Sequence, residues 1–218
     1  TLPYVDEDRI GVLGVCGGGG YAVNAATTDH RFRAVATVVA ANYGRILREG
    51  DASPDAALKT IEALGKQRTA EARGSDPLVV GYIPADMAEL AESGITDIDI
   101  AEAVDYYTTP RGRQPGSPNK LRFTSIAPAL TWDAFAFTEK LLTQPLHIVI
   151  GDVPGGFGSY RDGYELYQRA RSTEKTLQVV HGASHYDLYD RPEATSQALA
   201  QLIPFYHRYL GSPAGQPS

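Results

Sequence analysis

Along the chain, short continuously apolar runs alternate with longer amphipathic ones. Arg9–Val15, Phe32–Ala41, Leu146–Ile150 and Thr176–Val180 are short and predominantly apolar. That is the pattern of strands covered on both faces, as in a parallel sheet. Helical periodicity fills the gaps between them. Gly19–Thr28 lines up Tyr21, Ala25 and Thr28, with small alanines that allow close packing on a sheet. Pro128–Leu142 predicts a helix carrying Trp132, Phe135 and Phe137, and Tyr160–Arg171 predicts another. Pro192–Tyr209 begins with a proline suited to a first helical turn and should turn Leu199, Leu202, Ile203 and Tyr206 to the core, with Pro204 bending or interrupting it. Strand, helix and strand within residues 9–41 make a right-handed βαβ crossover.

Residues 42–125 break this rhythm. They are polar and helix-patterned, with Ser53–Arg73 the longest candidate, and are punctuated by Gly74, Pro77, Pro84, Pro110, Gly112, Pro115 and Pro118. Only Leu78–Ile83 suggests a short extended piece. The expected organisation is a core at 1–41 and 126–211, a helical cap or lid inserted at 42–125, and a disordered tail at 212–218.

The candidate chemistry starts where the first strand meets the first helix, at Gly14-Val15-Cys16-Gly17-Gly18-Gly19-Gly20. Strand, glycine-flanked turn and helix form a nucleophile elbow, here G-x-C-x-G with cysteine in the usual serine position. Glycines are needed because a β-carbon at a flank of so tight a turn would strike neighbouring backbone. The turn should present the sulfur at the strand's carboxyl end. It should aim the Gly17 N–H at the same space as an oxyanion donor, with the helix N-terminus favouring thiolate. Other readings remain open at this point. A lone cysteine is often a small buried hydrophobe. Gly17–Ala22 also fits a loose G-x-G-x-x-A, but the next strand runs to Asn42 without the acid that a dinucleotide site wants, and there is no G-x-x-x-x-G-K-[ST].

Three strand exits carry Cys16, Asp152 and His185, in the chain order nucleophile, acid, histidine. In triad logic the histidine takes the thiol proton and the acid holds the imidazole. Asp162 is the second choice for the acid. His181 competes with His185 as the base, and His147, inside a strand, reads as core. No histidine pair has metal-like spacing beside cysteine or carboxylate ligands, so no metal is expected.

Composition narrows the setting. A 218-residue chain with 43% hydrophobic and 21% charged residues fits one globular domain with an insertion. A net charge of −6 gives no reason to expect nucleic acid or an anionic membrane as partner. The single cysteine allows no internal disulfide, and no apolar run approaches a bilayer span, so a cytoplasmic location is expected.

The chain resembles the α/β-hydrolase superfamily, within it the dienelactone-hydrolase-like group, and is nearest to its YcjY-type, polyketide-transferase-like bacterial hydrolases. Three stretches carry the resemblance: Asp8–Gly11 running into Gly14–Ala22, then Tyr106–Gly112, then Gly182–Asp190. The resemblance implies an α/β-hydrolase fold and a Cys-Asp-His triad falling on Cys16 and His185, with Asp152 or Asp162 as acid. It also implies hydrolysis of an ester, lactone or thioester of a small-molecule acyl substrate, without cofactor. Members of the group carry further strands ahead of the elbow. The expectation is therefore that this chain is the carboxyl-terminal part of the fold, completed by an amino-terminal half or by a second copy.

Overall fold

A computed structural model describes residues 2–49 and 54–211. The tail expected at 212–218 and the helix start expected at Ser53 lie outside the described residues. The chain divides into two compact units. The first comprises Thr1–Asn42, Ala134–Pro154 and Gly158–Ser218, the second Tyr43–Asp133 and Gly155–Phe157.

The first unit is built on a four-stranded parallel sheet in the order β1 (Ile10–Val15), β2 (Phe32–Val38), β5 (Leu146–Gly151), β6 (Lys175–Val180). Its helices are α1 (Gly17–Thr28), α7 (Thr138–Leu141), α8 (Ser159–Arg169), α9 (Asp187–Asp190) and α10 (Pro192–Leu210). β5 is buried along its whole length, its one polar side chain, His147, included. Val38, Val39, Val149 and Val180 pack with Ala194, Ala198 and Leu202 of α10. This is an α/β-hydrolase fold, with a mostly parallel sheet flanked by helices.

α10 differs from its expected form in two ways. Its buried line is Ala194, Ala198 and Leu202, while Leu199 and Ile203 are about half exposed at 49% and 51%. Leu202 and Tyr206 face the core as expected, while the small Ala194 and Ala198 take the places expected for Leu199 and Ile203 and let the helix approach the sheet. Pro204 does not interrupt the helix. It sits on the exposed face, as does Ala200, whose carbonyl loses its donor and can be hydrated instead.

The second unit contains α2 (Tyr43–Glu49), α3 (Pro54–Ala72), α4 (Met87–Ser93), α5 (Ile98–Thr108) and α6 (Ile126–Thr131). It also contains a two-stranded antiparallel ladder, β3 (Val79–Val80) with β4 (Leu121–Arg122). The helix expected over Pro128–Leu142 is instead divided into α6 and α7. Arg48 on α2 donates to the carbonyls of Leu130 and Trp132, each at 2.8 Å, and so caps α6 where it would otherwise have continued. Phe137 then takes a positive φ of 63°.

Candidate active site

The elbow is visible in the backbone. Cys16 has φ 53° and ψ −128°, a conformation that a residue with a β-carbon rarely adopts. Its surroundings hold it there: the Cys16 N–H donates to Val38 O at 3.1 Å, and its carbonyl accepts from Gly19 N at 2.8 Å and Ala41 N at 2.9 Å. A β-carbon on Gly14 would collide with the Gly18 carbonyl and lie 2.5 Å from Gly19 Cα. The second required glycine is Gly19, where a β-carbon would meet Ala40 Cβ at 2.7 Å. Gly18, expected to be the constrained flank, has open space around it. The spacing that matters is therefore Gly-x-Cys-x-x-Gly, because the glycine facing β2 is the one set by close helix–sheet approach. Gly17 is the first residue of α1, in the turn whose N–H donors have no acceptor within the helix.

Strand register brings the other candidates to the same edge of the sheet. Val15 pairs with Val38, Val38 with Val149, and Gly151 with Val180. Asp152 and His181 are thus level neighbours on adjacent strand exits. Asp152 Oδ2 binds His181 Nδ1 at 2.8 Å, and Oδ1 accepts from the Gly182 N–H at 2.6 Å. Those two bonds hold the carboxyl below its ordinary range, His181 first. The expected pairing of Asp152 with His185 is therefore corrected. An acid placed directly after Gly151 reaches the residue beside it on β6, and the reach is spent before the loop arrives at His185.

His185 comes back across β5 by a different route. With no β-carbon on Gly151, the carbonyls of Ala183 and Ser184 can lie against it, and the Val153 N–H donates to Ala183 O at 3.1 Å. A reciprocal clamp fixes the turn: the Ser184 N–H donates to Asp187 Oδ2 at 2.9 Å and the Asp187 N–H donates to Ser184 Oγ at 3.1 Å. His185 ends 2% exposed beside the rings of Tyr186 and Tyr189, with Nδ1 2.9 Å from Ser159 Oγ. Burial pushes its pKa down to about 3, so the ring is neutral at ordinary pH.

Asp162, the second choice for the acid, is fully buried in the first turn of α8 and accepts the Asn42 N–H at 2.7 Å. Asn42 Oδ1 in turn accepts the Ala134 N–H. His147 is buried in β5, with Nδ1 2.6 Å from Thr176 Oγ1 and Nε2 3.3 Å from Gln178 Oε1, and burial lowers its pKa. In the second unit Arg111 pairs with Asp105 at 3.0 Å and lies over the Tyr106 ring.

Two groups escaped the sequence reading. Ser159 is one; only its place after Gly158, which has φ 62° at the start of α8, could have drawn attention to it. The other is Asp99 of the second unit, whose Oδ2 accepts the Phe157 N–H at 2.8 Å while its buried Oδ1 has no hydrogen-bond partner. Gly155 leaves room for that carboxylate. Burial, with Asp97 and Glu102 nearby, pushes Asp99 up to about 6.

Among the described residues no group of three or more His, Cys, Asp or Glu side chains could hold a metal ion. No described helix is long and apolar enough to cross a membrane.

No protein-family model matches the chain. Among curated proteins, the uncharacterized protein YcjY of Escherichia coli K12 is 38% identical over 211 residues, covering 96% of this chain and 67% of YcjY. The chain belongs to the YcjY family. A second relative, the uncharacterized protein PA2218 of Pseudomonas aeruginosa, is 32% identical over 196 residues. The chain spans only 50% of PA2218's sequence and 63% of its crystal structure. It matches that crystal structure with a TM-score of 0.83 at 28% identity over 96% of this chain. The α/β hydrolase GrgF of Penicillium sp. sh18 matches with a TM-score of 0.70 at 17% identity, covering 96% of this chain and 67% of GrgF, a likeness of fold. The chain thus shares the fold of α/β hydrolases.

Proposed function

We propose that this chain carries the nucleophile and base of a dienelactone-hydrolase-like enzyme that cleaves an ester, lactone or thioester through a cysteine acyl-enzyme. The observation that carries the reading is the backbone of Cys16. A non-glycine residue is held at φ 53° and ψ −128° between a strand and a helix, with hydrogen bonds to β2 and its exit fixing it there. Such strain is retained where it presents a side chain for chemistry.

His185 takes the proton from Cys16 Sγ, and the sulfur attacks the acyl carbon. The carbonyl electron pair moves to oxygen, where the Gly17 N–H stabilises it. Collapse expels the alcohol or thiol, which receives the proton from His185. Water then attacks the thioester with His185 as base and frees the acid and Cys16. An alcohol or amine in place of water would give acyl transfer by the same steps.

Partners are also part of the proposal. Leu13 and Val15, on the edge strand β1, are 49% and 39% exposed. An edge of that kind calls for cover, and the reading assigns it to further strands of the whole protein or to a second copy. A cytoplasmic location goes with the same reading.

The test is turnover of a panel of esters, lactones and thioesters by the whole protein, alongside Cys16→Ala and Cys16→Ser. Loss of hydrolysis in both variants supports the reading. Unchanged turnover in Cys16→Ala refutes it, and no turnover of any substrate by the wild type favours a non-catalytic binding protein.

A further inference from the structure

We infer that Ser159 is the positioning residue of His185, its hydroxyl oxygen accepting the Nδ1 proton in the place where a triad acid would stand. The inference rests on the proposed Cys16–His185 chemistry and assigns a residue to it. Both carboxylates that the chain order offers are engaged elsewhere, Asp152 on His181 and Gly182, Asp162 on Asn42. His185 Nδ1 lies 2.9 Å from Ser159 Oγ, with Ser159 6% and His185 2% exposed.

Both partners are built in rather than incidental. Ser159 stands at the first position of α8, directly after Gly158 in the left-handed conformation. Gly163, one turn on, lets the helix lie against Ile150 of β5. On the other side, the Ser184–Asp187 clamp and the close approach at Gly151 fix the loop. A neutral imidazole carries one N–H. If Ser159 accepts that proton at Nδ1, Nε2 keeps the lone pair that a base needs. A hydroxyl orients the ring without lending it negative charge, which agrees with a ring whose pKa burial has lowered.

Two measurements on the whole protein test this. In protein labelled with 15N-histidine, long-range 15N–1H correlation at neutral pH should report His185 as the Nδ1–H tautomer. An Nε2–H tautomer overturns the inference, whatever any variant does. In kinetics, Ser159→Ala should lower kcat about tenfold to a hundredfold with KM within about twofold, and Ser159→Thr should restore most of it. Ser159→Asp should move the acidic limb of kcat/KM upward by about one pH unit or more, because a carboxylate favours the imidazolium, whereas Ser159→Asn should leave it in place. Unchanged kcat in Ser159→Ala, or equal limbs in the Asp and Asn variants, also overturns it. If His185→Ala abolishes turnover while Ser159→Ala does not, the assignment of Ser159 alone has failed. If His185→Ala is fully active, the underlying chemistry has failed.

Discussion

His181 and His185 leave the same strand within a few residues of each other and live in opposite environments. The His181 side chain is 85% exposed and binds a carboxylate that is itself 41% exposed. His185 is buried, lies beside two tyrosine rings and meets a hydroxyl. On chemistry alone His181 with Asp152 looks like the better base, since it has the acid. The proposed chemistry nonetheless assigns the base to His185, for its buried position. An exposed pair is hydrated, screened and of small energetic weight. The buried ring is held on three sides, and its protonation state is set by the protein.

The acids show the same contrast. Asp152 is drawn down by its partner at the surface, while Asp99 is pushed up by burial with one oxygen unpartnered. Partner and burial are separate causes and act with opposite sign.

The sharpest way to break the comparison between the histidines is to remove them one at a time. His185→Ala, like Cys16→Ala, should reduce kcat about a thousandfold or more, as loss of a base or nucleophile does. His181→Ala and Asp152→Asn should stay within about threefold. A reversal would move the base to His181. Next in size is the backbone beneath the nucleophile. Gly14→Ala should destabilise the fold by about 3 kcal/mol in denaturant titration, because its methyl group enters the Gly18–Gly19 backbone, whereas Gly18→Ala should have little effect.

Titration of stability sharpens the contrast between the acids. Asp99 has a folded pKa of about 6 against an ordinary value of 3.8, so folding favours its protonated form. Its favourable contribution is complete below the unfolded value and is lost as pH rises through about 6. Asp99→Asn should remove that slope and leave the protein about 2 kcal/mol more stable at pH 8 relative to pH 4 than the wild type. His185 acts in the other direction. Its folded pKa is depressed, so its contribution is present above about 6.5 and is lost as pH falls towards 3. Asp99→Asn should therefore unmask a steeper acid-side loss of stability. The smallest effect belongs to the surface pair. Asp152→Asn should shift Tm by about 1 °C or less, with added salt reducing even that.

What could be read from the sequence, and what could not, follows from the same physics. The four strands and the elbow are legible because their constraints are local. Buried strands such as β2 and β5 need mostly apolar residues, although β1, expected to be covered on both faces, leaves Leu13 and Val15 exposed, and a turn as tight as that at Cys16 must have a glycine at position 14. Side-chain partners are not local. Asp152 meets His181 because Gly151 and Val180 are in register, and nothing near Asp152 in the sequence states that register. The division between α6 and α7 depends on Arg48, which lies more than eighty residues earlier. On α10 the sequence places Leu202 and Tyr206 on the core side as the structure does, but not Leu199 and Ile203, because Ala194 and Ala198 make the closer contact with the sheet. Asp99 was unreadable for a further reason. Its burial depends on a gap left by Gly155, and an absent side chain leaves little signal.

The most direct test is the intact mass of the whole protein during reaction with an activated thioester or ester, in wild type, His181→Ala and His185→Ala. The account expects a single acyl adduct that maps to Cys16. It should form at similar rates in wild type and His181→Ala, and about a hundredfold or more slower in His185→Ala. An adduct on another residue, or slowing confined to His181→Ala, would contradict it.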